Sequence, residues 1–193
     1  MPARGVFGGS FDPPHVGHLI IAEHIARRRR LDTVMWVPAK NPPHKDPMNL
    51  SPAEDRVEMV RLAIEGNPLF ELSTIEMSDD QPPYSVNLLE TLQQKYPDDK
   101  LYFILGGDSL YELPTWKDYT RLWQLAEICV TPRPGWNIFA VDRDILANVR
   151  IVRCPMMNIS ANWIRELVRR GESIRYLVPE PVREYIMKKK LFI

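Results

Sequence analysis

The chain contains 193 residues, of which 45% are hydrophobic, and its 25 Lys and Arg residues are balanced by 25 Asp and Glu residues. This length and apolar content are sufficient for a sizeable core and favour one domain over residues 1–193. The net charge of zero argues against a general nucleic-acid binder and leaves small molecules as the expected partners. The two cysteines lack C-x-x-C or metal-ligand spacing and are too few for a disulfide framework. No stretch approaches the roughly 18 apolar residues of a membrane span, so we expect a cytoplasmic protein.

The first half of the chain alternates between strand and helix patterns. A short apolar run before Gly8 predicts a buried strand, and helical periodicity follows the loop that begins there. A second strand precedes a proline-rich stretch that cannot be helical. Ser51, Pro52 and Glu54 then have the spacing of an N-cap, an N1 proline and an N3 acid, which predicts a helix that continues to Ile64. The predicted segments are strands at 4–7 and 33–38, a loop at 39–52, and helices at 19–26 and 52–64.

The second half continues this alternation and contains a central strand. Residues 101–105 form a nearly continuous apolar run that ends in Gly106-Gly107-Asp108, as expected of a buried parallel strand that delivers a loop to the ligand edge. Further strands are predicted at 70–75, 127–131 and 150–152, and helices at 85–95, 162–170 and 181–189. The alternation implies an α/β fold, with a doubly wound, Rossmann-like parallel sheet and a small helical segment at the C-terminus. Ligands should collect at the carboxyl ends of the strands.

A glycine-led loop delivers two histidines to the first turn of the first predicted helix. Its sequence is Gly8-Gly9-Ser10-Phe11-Asp12-Pro13-Pro14-His15-Val16-Gly17-His18. We expect Gly8 and Gly9 to let the backbone turn tightly and approach a ligand without a Cβ in the way. His15 and His18 should share one face of the helix, whose exposed first-turn amides carry the positive end of the dipole. An anion is therefore expected at this helix N-terminus.

This segment resembles the nucleotidyltransferase superfamily, whose (T/H)xGH motif appears here as His15-Val16-Gly17-His18. Within the superfamily the chain is similar to the bacterial nicotinate mononucleotide adenylyltransferases. The resemblance extends almost from end to end, through Asn41-Pro42-Pro43-His44-Lys45, Pro83-Tyr84-Ser85, Gly106-Gly107-Asp108-Ser109, Pro114-Thr115-Trp116, Arg133-Pro134-Gly135 and residues 159–165 and 171–179. It implies a single nucleotidyltransferase domain that transfers the adenylyl group of ATP to nicotinate mononucleotide, giving deamido-NAD and pyrophosphate in NAD biosynthesis.

The resemblance gives the chemistry to the two histidines. Adenylyl transfer needs an attacking phosphate oxygen in line with the α-phosphorus of ATP and donors that neutralise charge as pyrophosphate leaves, but no covalent intermediate. His18 would contact the α-phosphate and stabilise the transition state, and His15 would touch the phosphate chain. Gly8, Gly9 and Ser10 would bring backbone and hydroxyl donors. A bare H-x-x-H could instead ligate a metal, but no third ligand is spaced to complete such a site.

A second phosphate-binding element is implied near the C-terminus. Ile159-Ser160-Ala161-Asn162-Trp163-Ile164-Arg165 resembles the I-S-S-T-x-I-R element of the superfamily, in which a helix N-terminus and its arginine hold the β- and γ-phosphates. Ser160 and Arg165 would make these contacts here. Ala161 removes one hydroxyl, and Asn162 replaces threonine while remaining a capable N-cap.

Two further residues would contact the nucleotide. Asp108 would accept hydrogen bonds from a ribose, although the sequence does not decide of which nucleotide, and a helix N-cap is its alternative role. Lys45, in the proline-rich loop, could close over the triphosphate together with His44. A solvated loop lysine is the alternative for Lys45.

The acceptor side is implied by a second group of residues. Trp116 would stack on the pyridine ring, and main-chain amides near Tyr84 and Ser85 would bind the carboxylate that distinguishes nicotinate from nicotinamide. Lys117 stands where some relatives have an aromatic residue, and we hypothesise that its ammonium adds to carboxylate selectivity. Arg133 follows a predicted strand and would reach the phosphate of the acceptor.

Mg²⁺ is expected as a phosphate-bridging ion, held mainly by ATP oxygens and water and without a protein metal site. Two alternatives stay open at this point. One is a related adenylyltransferase that acts on nicotinamide mononucleotide or pantetheine phosphate. The other is a non-catalytic nucleotide-binding regulator on the same fold. The sequence leaves the oligomeric state undecided.

Overall fold

The computed structural model describes residues 1–42, 50–78, 83–135, 137 and 140–193. Its centre is a six-stranded sheet with the order β3-β2-β1-β4-β5-β6, in which every described pairing is parallel. The strands are β1 Ala3–Gly9, β2 Thr33–Pro38, β3 Phe70–Leu72, β4 Lys100–Gly106, β5 Glu127–Thr131 and β6 Val149–Ile151. This is the strand order of the Rossmann dinucleotide-binding fold, whose order reverses between the first and fourth strands. The predicted α/β class is confirmed.

Helices cover both faces of the sheet. They are α1 Val16–Arg29, α2 Ala53–Ile64, α3 Ser85–Lys95, α4 Gly107–Glu112, α5 Leu122–Leu125, α6 Arg143–Ala147, α7 Ala161–Arg169 and α8 Glu180–Lys189. One apolar cluster contains residues from α1, α2, α7 and α8, and a second contains residues from α3, α4, α5 and α6. Neighbouring residues of β1 divide between the clusters, since Phe7 belongs to the first and Val6 to the second.

The predicted elements match the observed ones best where the apolar run is longest. Residues 101–105 of β4 are all buried, because helices cover the strand on both sides. The segment predicted as strand 70–75 is shorter than expected, since β3 ends at Leu72 and a 3₁₀ turn at Ile75–Met77 follows. Three short helices, α4, α5 and α6, were not predicted, because four to six residues carry too little periodicity to be recognised.

The predicted cap of α2 is wrong. Pro52 occupies the N-cap position and the helix begins at Ala53. The backbone of Ser51 has other partners: its N–H donates to Asp12 Oδ2 at 3.2 Å, and its carbonyl accepts from Arg56 Nε at 3.1 Å. A tertiary contact thus replaces the local capping box. No helix in the described part of the chain has the length and apolar content needed to cross a bilayer.

Candidate active site

The predicted site residues gather where the strand order reverses. Strands β1, β4 and β5 are neighbours, and their carboxyl ends lie at Gly9, Gly106 and Thr131. The segments that directly follow these three strands contain the histidine motif, Asp108 and Arg133. This is the crevice in which open parallel sheets bind their ligands.

His15 and His18 are stacked at the start of α1. His15 is the N-cap residue, and the two ring centroids lie 3.6 Å apart with planes inclined by 21°. The backbone N–H of His15 donates to His18 Nδ1 at 3.2 Å. Because Nδ1 accepts this bond, the proton of the neutral His18 ring lies on Nε2. His18 can therefore offer an Nε2–H to a ligand oxygen.

Gly17 is required by this stack. A Cβ on Gly17 would lie 2.9 Å from His15 Nδ1 and 3.0 Å from His15 Cε1. Contacts that short force one of the groups to move. The glycine of the H-x-G-H motif thus leaves room for the first histidine ring, a role that the sequence analysis did not identify.

The chain after β1 turns at Phe11 rather than at the glycines. Gly8 and Gly9 are the last two residues of β1, where they pair with Val37 and Pro38. Phe11 has φ of 48° and is buried. The centroid of its ring lies 5.3 Å from that of His18 and 5.5 Å from that of Phe7. The left-handed conformation costs a non-glycine residue about 1–3 kcal/mol, which the burial of the aromatic ring offsets. The expectation that Gly8 and Gly9 turn the chain is wrong.

The N-terminal amides of α1 are less exposed than predicted. The N–H of Val16 donates to the carbonyl of Leu177 at 3.0 Å, and the N–H of His18 donates to the carbonyl of His15 at 2.9 Å. The segment before α8 therefore docks on the helix start and takes one of its donors. The start of α1 therefore offers fewer free N–H groups than the sequence predicted.

Both histidines are held neutral. Burial lowers the pKa of His15 to about 2, with further lowering by the charges of His18 and Arg133 and an opposing effect of Asp108. Burial also lowers the pKa of His18 to about 3, and Arg133 lowers it further. A protonated imidazole in either place would lose its hydration without a carboxylate in contact. At neutral pH the pair therefore consists of uncharged rings beside the cation of Arg133.

Arg133 links the first turn of α4 to the segment that precedes α7. Its Nη1 donates to Asp108 Oδ2 at 2.8 Å, and its Nη2 donates to the carbonyl of Ile159 at 2.8 Å. Asp108 lies in the first turn of α4 and not in an open loop, and the N-cap residue is Gly106. A Cβ on Gly106 would lie 2.5 Å from Asp108 Oδ1, so a larger residue at this position would displace the carboxylate. Asp108, which was predicted to bind a ribose, and Arg133, which was predicted to bind the acceptor phosphate, thus form an ion pair.

The segment predicted to be a second phosphate-binding element forms the start of α7, as expected, and Ser160 caps the helix. Ser160 is the N-cap of α7, and its Oγ accepts from the N–H of Trp163 at 3.2 Å. The side chain of Asn162 does not cap the helix, since its Oδ1 accepts from Arg165 Nη2 at 2.6 Å. Arg165 Nη1 donates to the carbonyl of Asp12 at 2.7 Å, and burial lowers the pKa of this guanidinium. Arg165 therefore reaches the loop between β1 and α1.

The residues predicted to bind the acceptor lie at the start of α3 and shortly after α4. Tyr84 is the N-cap of α3 and Ser85 is its first residue. The amides that were predicted to bind the carboxylate are therefore those at the N-terminus of this helix. Lys117 Nζ lies 4.7 Å from the centroid of the Tyr84 ring, a cation–π distance. Trp116 is half-buried, with its ring 6.4 Å from that of Phe103 in β4.

Arg56 is a residue of this region that sequence reasoning missed. It is 1% exposed, and its guanidinium donates to backbone carbonyls of the loops that follow β1 and β2. Helical periodicity contained the signal, because Arg56 shares the buried face of α2 with Met59, Val60 and Ala63. Lys45 and His44 lie outside the described residues.

The described residues hold no group of three or more His, Cys, Asp or Glu side chains placed to bind a metal ion. Acidic and imidazole ligands in this part of the chain are therefore too dispersed for a protein cage around a divalent ion.

A family model described as cytidylyltransferase-like matches residues 6–167. The chain belongs to the cytidylyltransferase-like family. This member is 40% identical over 188 residues to the probable nicotinate-nucleotide adenylyltransferase of Exiguobacterium sibiricum, which covers 97% of each chain. It is 35% identical over 192 residues to the nicotinate-nucleotide adenylyltransferase of Bacillus subtilis, covering 100% of this chain and 99% of that one. The resemblance inferred from the sequence blocks is confirmed.

Solved structures share the fold of this cytidylyltransferase-like chain. A nicotinic acid mononucleotide adenylyltransferase of Plasmodium falciparum complexed with NaAD has a TM-score of 0.84 at 20% identity, covering 100% of this chain and 98% of that one. A putative nicotinate-nucleotide adenylyltransferase of Vibrio parahaemolyticus has a TM-score of 0.71 at 20% identity, covering 100% and 96%. At these identities the likeness establishes the fold alone.

Proposed function

We propose that this chain transfers the adenylyl group of ATP to nicotinate mononucleotide, releasing pyrophosphate and forming nicotinate adenine dinucleotide. The observation that carries the proposal is the stacked pair of neutral histidines at the N-terminus of α1, with the remaining proton of His18 on Nε2. Full-length relatives named nicotinate-nucleotide adenylyltransferase support the choice of reaction. All 193 residues would act as one nucleotidyltransferase domain.

The reaction is a direct in-line displacement. An oxygen of the 5′-phosphate of nicotinate mononucleotide attacks the α-phosphorus of ATP, and the bond to the β-phosphate bridging oxygen breaks as pyrophosphate leaves. We assign the Nε2–H of His18 to an α-phosphate oxygen, where it stabilises the charge that develops in the transition state. The backbone N–H of His15 fixes the orientation of that ring by donating to Nδ1.

The remaining residues bind the two substrates in this proposal. Gly8, Gly9 and Ser10 approach the phosphates from β1, and Ser160 and Arg165 approach them from α7. Lys45 remains a proposed triphosphate contact. ATP would be used as its Mg²⁺ complex, in which the ion neutralises phosphate charge and is held mainly by phosphate oxygens and water.

Nicotinate mononucleotide would be recognised by its ring, carboxylate and phosphate. Trp116 would stack on the pyridine, and the amides at Tyr84 and Ser85 would hold the carboxylate, with Lys117 adding a positive charge. Arg133 would bind the acceptor phosphate while its partner Asp108 binds a ribose. The ion pair between them supports this division, because it fixes both side chains at one wall of the crevice.

The test is pyrophosphate release from purified protein with ATP and Mg²⁺. Nicotinate mononucleotide, nicotinamide mononucleotide and pantetheine phosphate are compared as acceptors, and the dinucleotide product is checked by mass. We expect strong preference for nicotinate mononucleotide and loss of turnover by about 10²–10⁴-fold in His18→Ala. Turnover with another acceptor would overturn the pocket assignment. ATP binding without turnover on any acceptor would favour a nucleotide-binding regulator.

A further inference from the structure

A buried guanidinium lies below the loops of the proposed ATP site. Arg56, in the first turn of α2, is 1% exposed. Its Nε donates to the carbonyl of Ser51 at 3.1 Å, and its Nη1 donates to the carbonyls of Ser10 at 3.0 Å and Ala39 at 2.5 Å. Its Nη2 donates to the carbonyl of Lys40 at 2.8 Å. One side chain thus collects acceptors from three separate stretches of backbone.

These stretches all belong to the ligand edge of the sheet. Ser10 lies in the loop between β1 and α1, residues 10–15, which is the phosphate loop of the proposed site. Ala39 and Lys40 follow β2, and Ser51 precedes α2. The first two are also linked directly, since the N–H of Ala39 donates to the carbonyl of Gly9 at 2.9 Å. Arg56 therefore fixes the chain on both sides of the loop after β2 and attaches it to the loop that carries the histidines.

Burying a charge in this place requires compensation. Removing a guanidinium from water carries a penalty of several kcal/mol, which is recovered only if its donors find well-placed acceptors. Burial lowers the pKa of Arg56, and the nearby Asp12 opposes that shift. Asp12 is itself fully buried and accepts the N–H of Ser51 at 3.2 Å. The interior here is polar, and hydrogen bonds connect its segments. If position 56 served only to pack α2 against the core, an apolar residue would have been sufficient.

The carbonyls of the phosphate loop are held from two directions. Arg56 binds that of Ser10, and Arg165 binds that of Asp12 at 2.7 Å. Since a carbonyl points opposite to the N–H of the following residue, fixing these oxygens also fixes the direction of the loop amides. Their orientation is what a phosphate-binding loop must preorganise.

We propose that Arg56 is a positioning residue for ATP: its guanidinium sets the geometry of the phosphate loop after β1 and of the chain after β2 without touching the substrate. This inference rests on the proposed adenylyl transfer. The near-complete burial of Arg56 distinguishes it from the residues that we assign to ligand contact. A planar fork with donors on three nitrogens is needed, because the four acceptors lie around its rim and a single ammonium cannot face them all.

The test compares Arg56→Lys with the matched variant Arg61→Lys. Arg61 lies on the same helix, is half-exposed and pairs with Glu58 at 2.8 Å. For each protein, thermal midpoint, steady-state constants for both substrates and the calorimetric Kd for ATP with Mg²⁺ are measured, at a temperature well below every midpoint. We expect Arg56→Lys to raise the KM and Kd for ATP by about tenfold and lower kcat, with the KM for nicotinate mononucleotide changing less than about threefold. Arg61→Lys should match the wild type.

Unchanged ATP constants in folded Arg56→Lys would overturn the proposal, even if its midpoint falls, because that pattern defines a role in stability alone. Equal losses for both substrates would also overturn it. If Arg56→Lys does not fold, Arg56→Gln takes its place, since it leaves no unpaired charge inside the protein. Failure of wild-type turnover would refute the proposed reaction, while the ATP Kd would still decide the role of Arg56.

Discussion

The contact between Gly17 and the His15 ring makes a sharp prediction about stability. Gly17 lies in the first turn of α1, where replacement by Ala normally stabilises a helix by roughly 0.5–1 kcal/mol. Here the new Cβ would lie 2.9 and 3.0 Å from two ring atoms of His15, a few tenths of an ångström inside ordinary contact. Forcing a methyl group into a packed site costs about 1–3 kcal/mol. Gly17→Ala should therefore destabilise the protein by up to about 2 kcal/mol.

A double-mutant cycle isolates this contact. In a His15→Ala background the ring is gone, so Gly17→Ala should stabilise by roughly 0.5–1 kcal/mol and the coupling between the two sites should be about 1–3 kcal/mol. Urea unfolding of the wild type, the two single variants and the double variant gives all four free energies of unfolding. If Gly17→Ala has the same effect in both backgrounds within about 0.5 kcal/mol, the His15 ring does not lie where the structure places it.

Three further predictions concern charge. The folded-state pKa values of His15 and His18, about 2 and about 3, lie below the usual 6.5. Their contribution to stability is therefore fully present above about pH 6.5. It is lost as the pH falls, because the unfolded chain takes up protons that the folded protein does not bind. Between pH 7.5 and 5 the free energy of unfolding should drop by about 4 kcal/mol more in the wild type than in a His15→Gln/His18→Gln protein, and equal urea profiles would contradict this. Arg165→Ala should raise the KM for ATP by about tenfold, because a charged donor is lost at the phosphate loop, and an unchanged KM would remove it from the ATP site. Lys117→Ala should lower the preference for nicotinate over nicotinamide mononucleotide by roughly two- to fivefold, as expected for the loss of an exposed charge. The control is Lys95→Ala, which removes a lysine that lies over Tyr96 at the other end of α3 and should leave this preference unchanged.

The sequence by itself determined the layers of this protein and the place of its site. Uninterrupted apolar runs such as 101–105 and amphipathic periodicity such as that of 85–95 are local properties, and they located β4 and α3 closely. Alternation of the two patterns then limits the fold to a wound parallel sheet, whose ligand edge is known in advance. The motif from Gly8 to His18 begins at the carboxyl end of β1, so its position at that edge was predictable.

Only the tertiary structure decided which partners these residues have. Phe11, and not a glycine, takes the left-handed turn, because burial of its ring against Phe7 and His18 outweighs the backbone preference. Arg165 reaches a carbonyl 153 residues earlier, and Arg56 reaches carbonyls of two other loops. Ser51 contacts Asp12 instead of capping α2. Hydrogen bonds across such separations leave no periodic trace in the chain, since they depend on how distant elements pack. Local pattern therefore fixed where the chemistry lies, and long-range packing fixed the orientation of the groups that would perform it.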